Sequence, residues 1–304
     1  MTAIASAVSR PPRERLIVVG AVAVMVCVWA SAFVAIRFAD RELSPGALAL
    51  GRLVVGSAAL GILVLVRRAP LPGRREMAGI IVCGVLWFGL YNVALNAAER
   101  RVDAGTAAML VNVGPILIAI LAGVILREGF PPWLLAGCLV SFAGVVVIGI
   151  ATSRHGLDDS LGAVLCLVAA VGYAGGAVAQ KPVLRHASPL SVTWLACTIG
   201  AVSTLPYAGS LVHGVRHAGG STIGWMIYLG VVPTAAGFVL WAYALARTTA
   251  GRMGSTTYLV PPLALLFGWA FLSEIPPALV LPGGVLCLAG VALARTRGRR
   301  ATRQ

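Results

Sequence analysis

Trp29-Ala-Ser-Ala-Phe-Val-Ala-Ile-Arg37, running on to Ser44-Pro45, stands against Tyr173-Ala-Gly-Gly-Ala-Val-Ala-Gln-Lys181, running on to Ser188-Pro189, at a constant offset of 144 residues. Further along, at an offset of 146, Ala104-Gly105 matches Ala250-Gly251, Pro115 matches Pro261, Glu128 matches Glu274 and Pro131 matches Pro277. Gly137 matches Gly283, and Ala143-Gly144-Val145 matches Ala289-Gly290-Val291. Two unrelated apolar helices would exchange Leu for Val. They would not pair proline with proline and glutamate with glutamate, so the chain is a duplication.

What is duplicated follows from the flanking residues. The 304 residues are 59% hydrophobic and 11% charged, against roughly 25% charged in soluble domains. Ten stretches are almost free of charge: Leu16–Ile36, Pro45–Val66 (broken only by Arg52), Met77–Ala98, Ala104–Leu126, Gly129–Ser153, Ser160–Gln180, Ala187–Val212, Ala218–Ala246, Met253–Ser273 and Ile275–Ala294. Each has the length of about 20 residues that a membrane-spanning helix needs. The first is too long and lacks a small-residue cleavage site for a signal peptide, and reads as the first span. The expected fold is an all-α polytopic membrane protein of ten transmembrane helices. Five crossings per copy turn the second copy upside down, so the copies form two inverted five-helix repeats, as in carriers that expose one site to alternate sides. The expected divisions are a tail (1–15), the first repeat (16–153), a loop (154–159), the second repeat (160–294) and a basic tail (295–304).

The net charge of +14 invites a nucleic-acid partner, but the charges lie in the connections between spans. With the N-terminus inside, 17 of the 24 Lys and Arg fall on the inner side and 6 on the outer, with Arg52 in the second span. That bias orients both termini to the cytoplasm. The expected location is the cell (inner or plasma) membrane, and the expected partners are a small-molecule substrate and the lipid bilayer, with no nucleic acid. The six cysteines all fall inside spans and none forms a CxxC pair, so they read as small packing residues rather than disulfides or metal ligands. No cofactor or metal motif is present. There is no HExxH, GxSxG or GxxxxGK[ST] sequence, which argues against an intramembrane enzyme and against ATP drive through that loop. A receptor or scaffold would not need inverted repeats with matched mid-span prolines.

The paired segments ending in Pro115…Arg127-Glu128 and Pro261…Ser273-Glu274, each followed by a final span with Ala-Gly-Val, resemble the drug/metabolite transporter superfamily in its ten-helix EamA-type branch. The resemblance covers nearly the whole chain. It implies a secondary transporter, with export rather than uptake as the direction, and it implies that Glu128 and Glu274 belong to a shared motif.

A transport site is expected at mid-depth between the halves. Pro115 and Pro261 lie near the middle of matched spans, where a proline frees the carbonyl four residues back, at Val111 and Thr257. Asn112 and Tyr258 follow these carbonyls. The third span adds Tyr91, Asn92 and Asn96; the two asparagines share a face and either line a cavity or bond between helices. Trp241 lies in the matched stretch of the eighth span, and Trp29 and Tyr173 lie past the middle of the first and sixth. The candidate substrate-binding set is therefore Trp29, Tyr91, Asn92, Asn96, Asn112, Tyr173, Trp241 and Tyr258, with Pro115, Pro261, Arg52, Glu128 and Glu274 as helix-break or gating residues. Arg52 is a charge inside a span, which serves either a snorkelling structural role or carboxylate recognition. Amides, phenols and indoles suit a small neutral or zwitterionic organic solute, amino-acid-like or drug-like. All ten acidic residues fall in tails, loops or at helix ends, so no carboxylate relay is expected at depth.

Overall fold

In a computed structural model of the chain, residues 12–101, 107, 110–152, 160–272 and 278–296 are described. Among them every regular element is helical. The first half holds α1 (Pro12–Ala39), α2 (Pro45–Arg67), α3 (Arg74–Glu99), α4 (Gly114–Ile125) and α5 (Pro132–Thr152). The second holds α6 (Ser160–Val183), α7 (Pro189–Ser203), α8 (Ala208–His217), α9 (Gly220–Ala246), α10 (Ala250–Ser255), α11 (Val260–Leu272) and α12 (Val280–Thr296). Six helices are long and apolar enough to cross a membrane unbroken, and α7 with the segment Leu205–His217, bent by 54°, makes a seventh. The fourth, ninth and tenth segments are shorter or broken. In chain order these are ten segments, five in each half.

The bend after α7 has a local cause. Pro206 disfavours helical backbone at the residue before it, and the Thr204 hydroxyl bonds back to the Gly200 and Ala201 carbonyls at 3.0 Å each. Helix starts repeat across the halves. Ser44 and Ser188 cap α2 and α7, accepting from the Ala47 and Ser191 amides at 3.3 and 3.1 Å. Pro45 and Pro189 follow in the first turn, where a missing N–H costs nothing.

Exchanging the halves maps the packing onto itself. α1 packs on α9, and its counterpart α6 packs on α3; α1 also meets α11, as α6 meets α4; α2 meets α9, as α7 meets α3. The pairs α2–α7 and α5–α12 join each helix to its own counterpart, and α4 packs on α10, the opening piece of the span that repeats its own. Between α5 and α12 the Ser141 hydroxyl donates to the Cys287 carbonyl at 3.2 Å, and the Cys287 thiol donates to the Ser141 carbonyl at 3.5 Å. This is the two-sided contact that inverted repeats produce on their shared axis. Cys27 faces outward and the other five cysteines are buried and free.

α3 and α9 each contain one stretch of π-helix, Gly84–Leu90 and Gly230–Gly237. Each stretch begins at a glycine pressed against the carbonyl of a neighbour. A Cβ on Gly84 would stand 2.7 Å from the Ala196 oxygen, and one on Gly230 would stand 2.9 Å from the Arg52 oxygen. π-stretches place one extra residue per turn and recur at functional sites.

Candidate functional site

A cavity of about 120 Å³ lies between the halves, lined by Trp29, Phe33, Arg52, Trp87, Tyr91, Asn92, Glu99, Asn112, Tyr173, Phe238 and Thr257, with apolar residues between them. The lining of α1, from Trp29 to Ile36, and of α3, from Trp87 to Glu99, runs toward the end of the bundle where those helices finish. We call this end distal, and the end where α1 begins proximal.

The cavity floor is aromatic. Trp29 stacks on Trp241 with ring centres 5.4 Å apart and lies 5.3 Å from Phe238. Trp87 lies 5.1 Å from Tyr173 and 4.9 Å from Phe238. The indole N–H of Trp29 donates to the Pro233 carbonyl at 3.2 Å, inside the π-stretch of α9. In α3 the Asn92 amide donates to the Phe88 and Trp87 carbonyls at 2.8 and 3.3 Å. Side chains of α1 and α3 thus bond to carbonyls within both π-stretches. The Tyr173 hydroxyl donates to the Thr257 hydroxyl at 3.2 Å, joining α6 to the turn before α11.

Of the residues expected from sequence, Trp29, Tyr91, Asn92, Asn112, Tyr173 and Arg52 line the cavity. Three do not. Asn96 is buried and donates to the Pro45 carbonyl at 3.1 Å, tying α3 to the start of α2. Trp241 is fully buried behind Trp29 and gives its N–H to Gln180 Oε1 at 3.2 Å. Tyr258 is fully buried in the layer of α5 and α12, beside Cys138 and Cys287.

Pro115 and Pro261 do not lie in helix interiors. Turn backbone at 112–113 precedes α4, and a 3₁₀ turn, Thr256–Leu259, precedes α11. Each proline therefore falls in the first turn of a restarted helix. The Thr257 carbonyl is not freed either, because it accepts the Val260 N–H. The 3₁₀ turn also rotates the side chains, so Thr257 rather than Tyr258 faces the cavity.

Sequence reading did not single out Trp87 or Glu99; Thr257 entered it only through its carbonyl, and Phe238 stayed outside the binding set. Phe238 is the repeat partner of Asn92 at an offset of 146, which was the signal available for it. Glu99 is the last residue of α3, a helix end by position, yet it lines the cavity. A carboxylate therefore does face the central space.

On the proximal side, bonds tie the helices together. Below the aromatic floor, Gln180 is fully buried. The Lys181 ammonium donates to the Leu245 and Thr248 carbonyls at 2.7 and 2.6 Å, at the C-terminal end of α9, where the helix dipole favours a cation. Glu128 accepts from the Ala250 and Gly251 amides at 3.0 and 3.4 Å, at the N-terminus of α10. Its place is a tie between helices, away from the cavity. Glu274 lies outside the described residues. At the distal mouth, Asp40 pairs with Arg100 at 3.3 Å; burial nevertheless raises its carboxyl above the ordinary range, with Arg100 opposing. Glu42 accepts the Gly219 N–H at 2.7 Å, which with Thr222 holds its carboxyl below that range.

The sequence profile of the EamA-like transporter family matches residues 16–150 and 160–296. The chain belongs to the EamA-like transporter family. A relative from Streptantibioticus cattleyicolor, described as a probable terminal-alkyne amino-acid exporter, is 38% identical over 284 residues, covering 93% of this chain and 95% of its own. A probable amino-acid metabolite efflux pump from Salmonella typhimurium is 26% identical over 278 residues, covering 88% and 91%. One crystal structure superposes with a TM-score of 0.75 at 20% identity, covering 95% of this chain and 99% of that one, a likeness of fold alone. The family and these names are those of membrane transporters rather than enzymes, so this EamA-like chain is a multi-pass membrane transporter with a small-molecule substrate.

Proposed function

We propose that the chain is a secondary transporter that exports small neutral or zwitterionic organic metabolites, amino-acid-like in size, across the cell membrane by alternating access. The observation that carries this reading is the aromatic-floored cavity between inverted halves, with Lys181, Glu128 and the Trp241–Gln180 pair tying the helices together on its proximal side. With both termini cytoplasmic, as the distribution of Arg and Lys favours, the distal end is outside and in this reading the cavity is reached from there. Export as the direction is supported by the names of the two relatives. Pro115, Pro261, Glu128 and Glu274 belong to the moving framework in this reading, and the cavity-lining residues bind the solute.

The test is counterflow in proteoliposomes of the purified protein, loaded in turn with leucine, methionine, phenylalanine and tryptophan. The expected result is protein-dependent exchange of at least one of them, abolished when Trp29 and Tyr173 are both replaced by Ala. Equal flux from empty liposomes for all four would overturn the reading.

A further inference from the structure

We infer that the cavity grips a zwitterion by its two poles, Arg52 taking the carboxylate and Glu99 the ammonium, with the aromatic floor receiving the side chain. This rests on the transport reading above and assigns the groups that recognise the solute.

Arg52 lies on α2 and is only 8% exposed. Its Nε donates to the Thr234 hydroxyl at 3.0 Å. Among the described residues no other hydrogen bond and no ion pair engages it, although its side chain lines the cavity. A guanidinium has five N–H donors, so the two terminal nitrogens remain for a ligand. A buried cation without a counter-anion is costly. A carboxylate entering the cavity relieves that cost with two parallel N–H···O bonds, a geometry that an isolated amide or hydroxyl cannot copy. The close approach of Gly230 to the Arg52 carbonyl fixes the backbone from which this side chain extends.

Glu99 ends α3, is half-buried and lines the same cavity. Among the described residues it has no hydrogen-bond partner and no ion-pair partner within 4.0 Å, Arg52 included. Opposite charges in one small cavity, not neutralised by contact, match a solute that carries both signs itself. An α-amino acid does so on a single carbon. A phosphate or dicarboxylate would be repelled by Glu99, and a dication by Arg52. Beneath the pair, the floor of Trp29, Trp87, Tyr173 and Phe238 offers apolar and ring contact, which selects for an apolar or aromatic side chain.

The experiment compares ligands and variants together. The full-length protein is reconstituted, and counterflow of the best-transported member among leucine, methionine, phenylalanine and tryptophan is competed by that amino acid, its methyl ester and its deaminated acid. In the parent, both analogues should compete at least tenfold more weakly than the amino acid. In Arg52→Gln the amino acid should fall to the level of the ester, while competition by the ester stays unchanged. In Glu99→Gln it should fall to the level of the deaminated acid, while that acid stays unchanged. Arg52→Lys, which keeps the charge and loses the fork, should recover part of the discrimination. Equal competition by amino acid, ester and acid in the parent overturns the two-pole assignment while leaving transport intact. Equal loss for all three ligands in both charge-removing variants overturns it as well. Should a variant fail to purify as a monodisperse protein, the comparison of ligands on the parent decides alone. No counterflow of any of the four amino acids overturns both this inference and the reading beneath it.

Discussion

The hydroxyl of Tyr258 is fully buried and has no hydrogen-bond partner among the described residues. A buried hydroxyl left unpaired costs about 1–3 kcal/mol. Tyr258→Phe keeps the ring and removes that cost, so the variant should melt at the same temperature as the parent or a few degrees higher, with transport unchanged. A melting point several degrees lower would mean that the hydroxyl is bonded. The same residue shows where sequence reading stops. Asn112 and Tyr258 are partners at an offset of 146, and that pairing suggested equal roles. The 3₁₀ turn over Thr256–Leu259 shifts the register by a fraction of a turn and brings Thr257 to the cavity instead. Glu99 escaped for a related reason, since position along a helix does not tell which way its last side chain points. Trp29, Tyr91, Asn92, Asn112, Tyr173 and Arg52 were legible because large or polar side chains inside an apolar span have few other places to go. At the distal mouth, the Glu42–Gly219 bond has a definite pH response. The folded carboxyl titrates below its ordinary 4.5, so the bond contributes above that value and is lost as the pH falls through the lower folded pKa. Protection of the Gly219 amide, taken relative to its intrinsic exchange rate at each pH, should therefore persist from neutral pH down past 4.5 and be lost only in stronger acid; loss of protection already near pH 6 would contradict the linkage.

At the scale of elements, the duplication was readable because it fixes prolines, glycines and caps rather than apolar content. The π-stretches of α3 and α9 were not, since Gly84 and Gly230 look like ordinary small residues until the carbonyls of Ala196 and Arg52 are seen against them. The α5–α12 pair tests how strictly small residues set these approaches. A Cβ on Gly144 would stand 2.5 Å from the Gly283 oxygen and 2.8 Å from the Cys287 nitrogen, and one on Gly290 would stand 2.5 Å from the Gly137 oxygen. These obstacles are backbone and cannot turn aside, in contrast to a flexible side-chain tip. Gly144→Leu and Gly290→Leu should each destabilise by at least the 1–3 kcal/mol or so typical of overpacking. Because the two positions are related by the repeat, their losses should be similar. Gly20, with nothing within 4 Å of its Cβ position, is the control; Gly20→Leu should leave the melting temperature unchanged. Equal losses at all three positions would show that close approach does not govern the result, since helix propensity alone favours Leu over Gly.

For the whole molecule, the symmetric packing contrasts with the asymmetric cavity. Helix partners exchange cleanly between halves, yet the cavity lining runs toward the distal end and the bonds of Lys181 and Glu128 gather at the proximal end. The repeated plan therefore contains one arrangement and, by exchange of the two halves, its opposite. On the proposed alternating-access reading, the contacts closing the proximal end decide how much of the population is outward-facing. Lys181 makes two charge-assisted bonds across α6 and α9, a class of interaction contributing about 1.5–3 kcal/mol each. Removing them should shift the equilibrium by tenfold or more, since about 1.4 kcal/mol is a factor of ten. Labelling of two introduced thiols by a membrane-impermeant maleimide would show this shift. Asn112→Cys lines the cavity and should react from the distal side, whereas Gln180→Cys, fully buried beneath Trp241, should be protected from both. Adding Lys181→Met should slow labelling at position 112 from the distal side and expose position 180 from the proximal side. The two changes must be reciprocal if one equilibrium links the ends. If both positions label faster, the substitution has loosened the bundle rather than turned it, and the latch role of Lys181 is wrong.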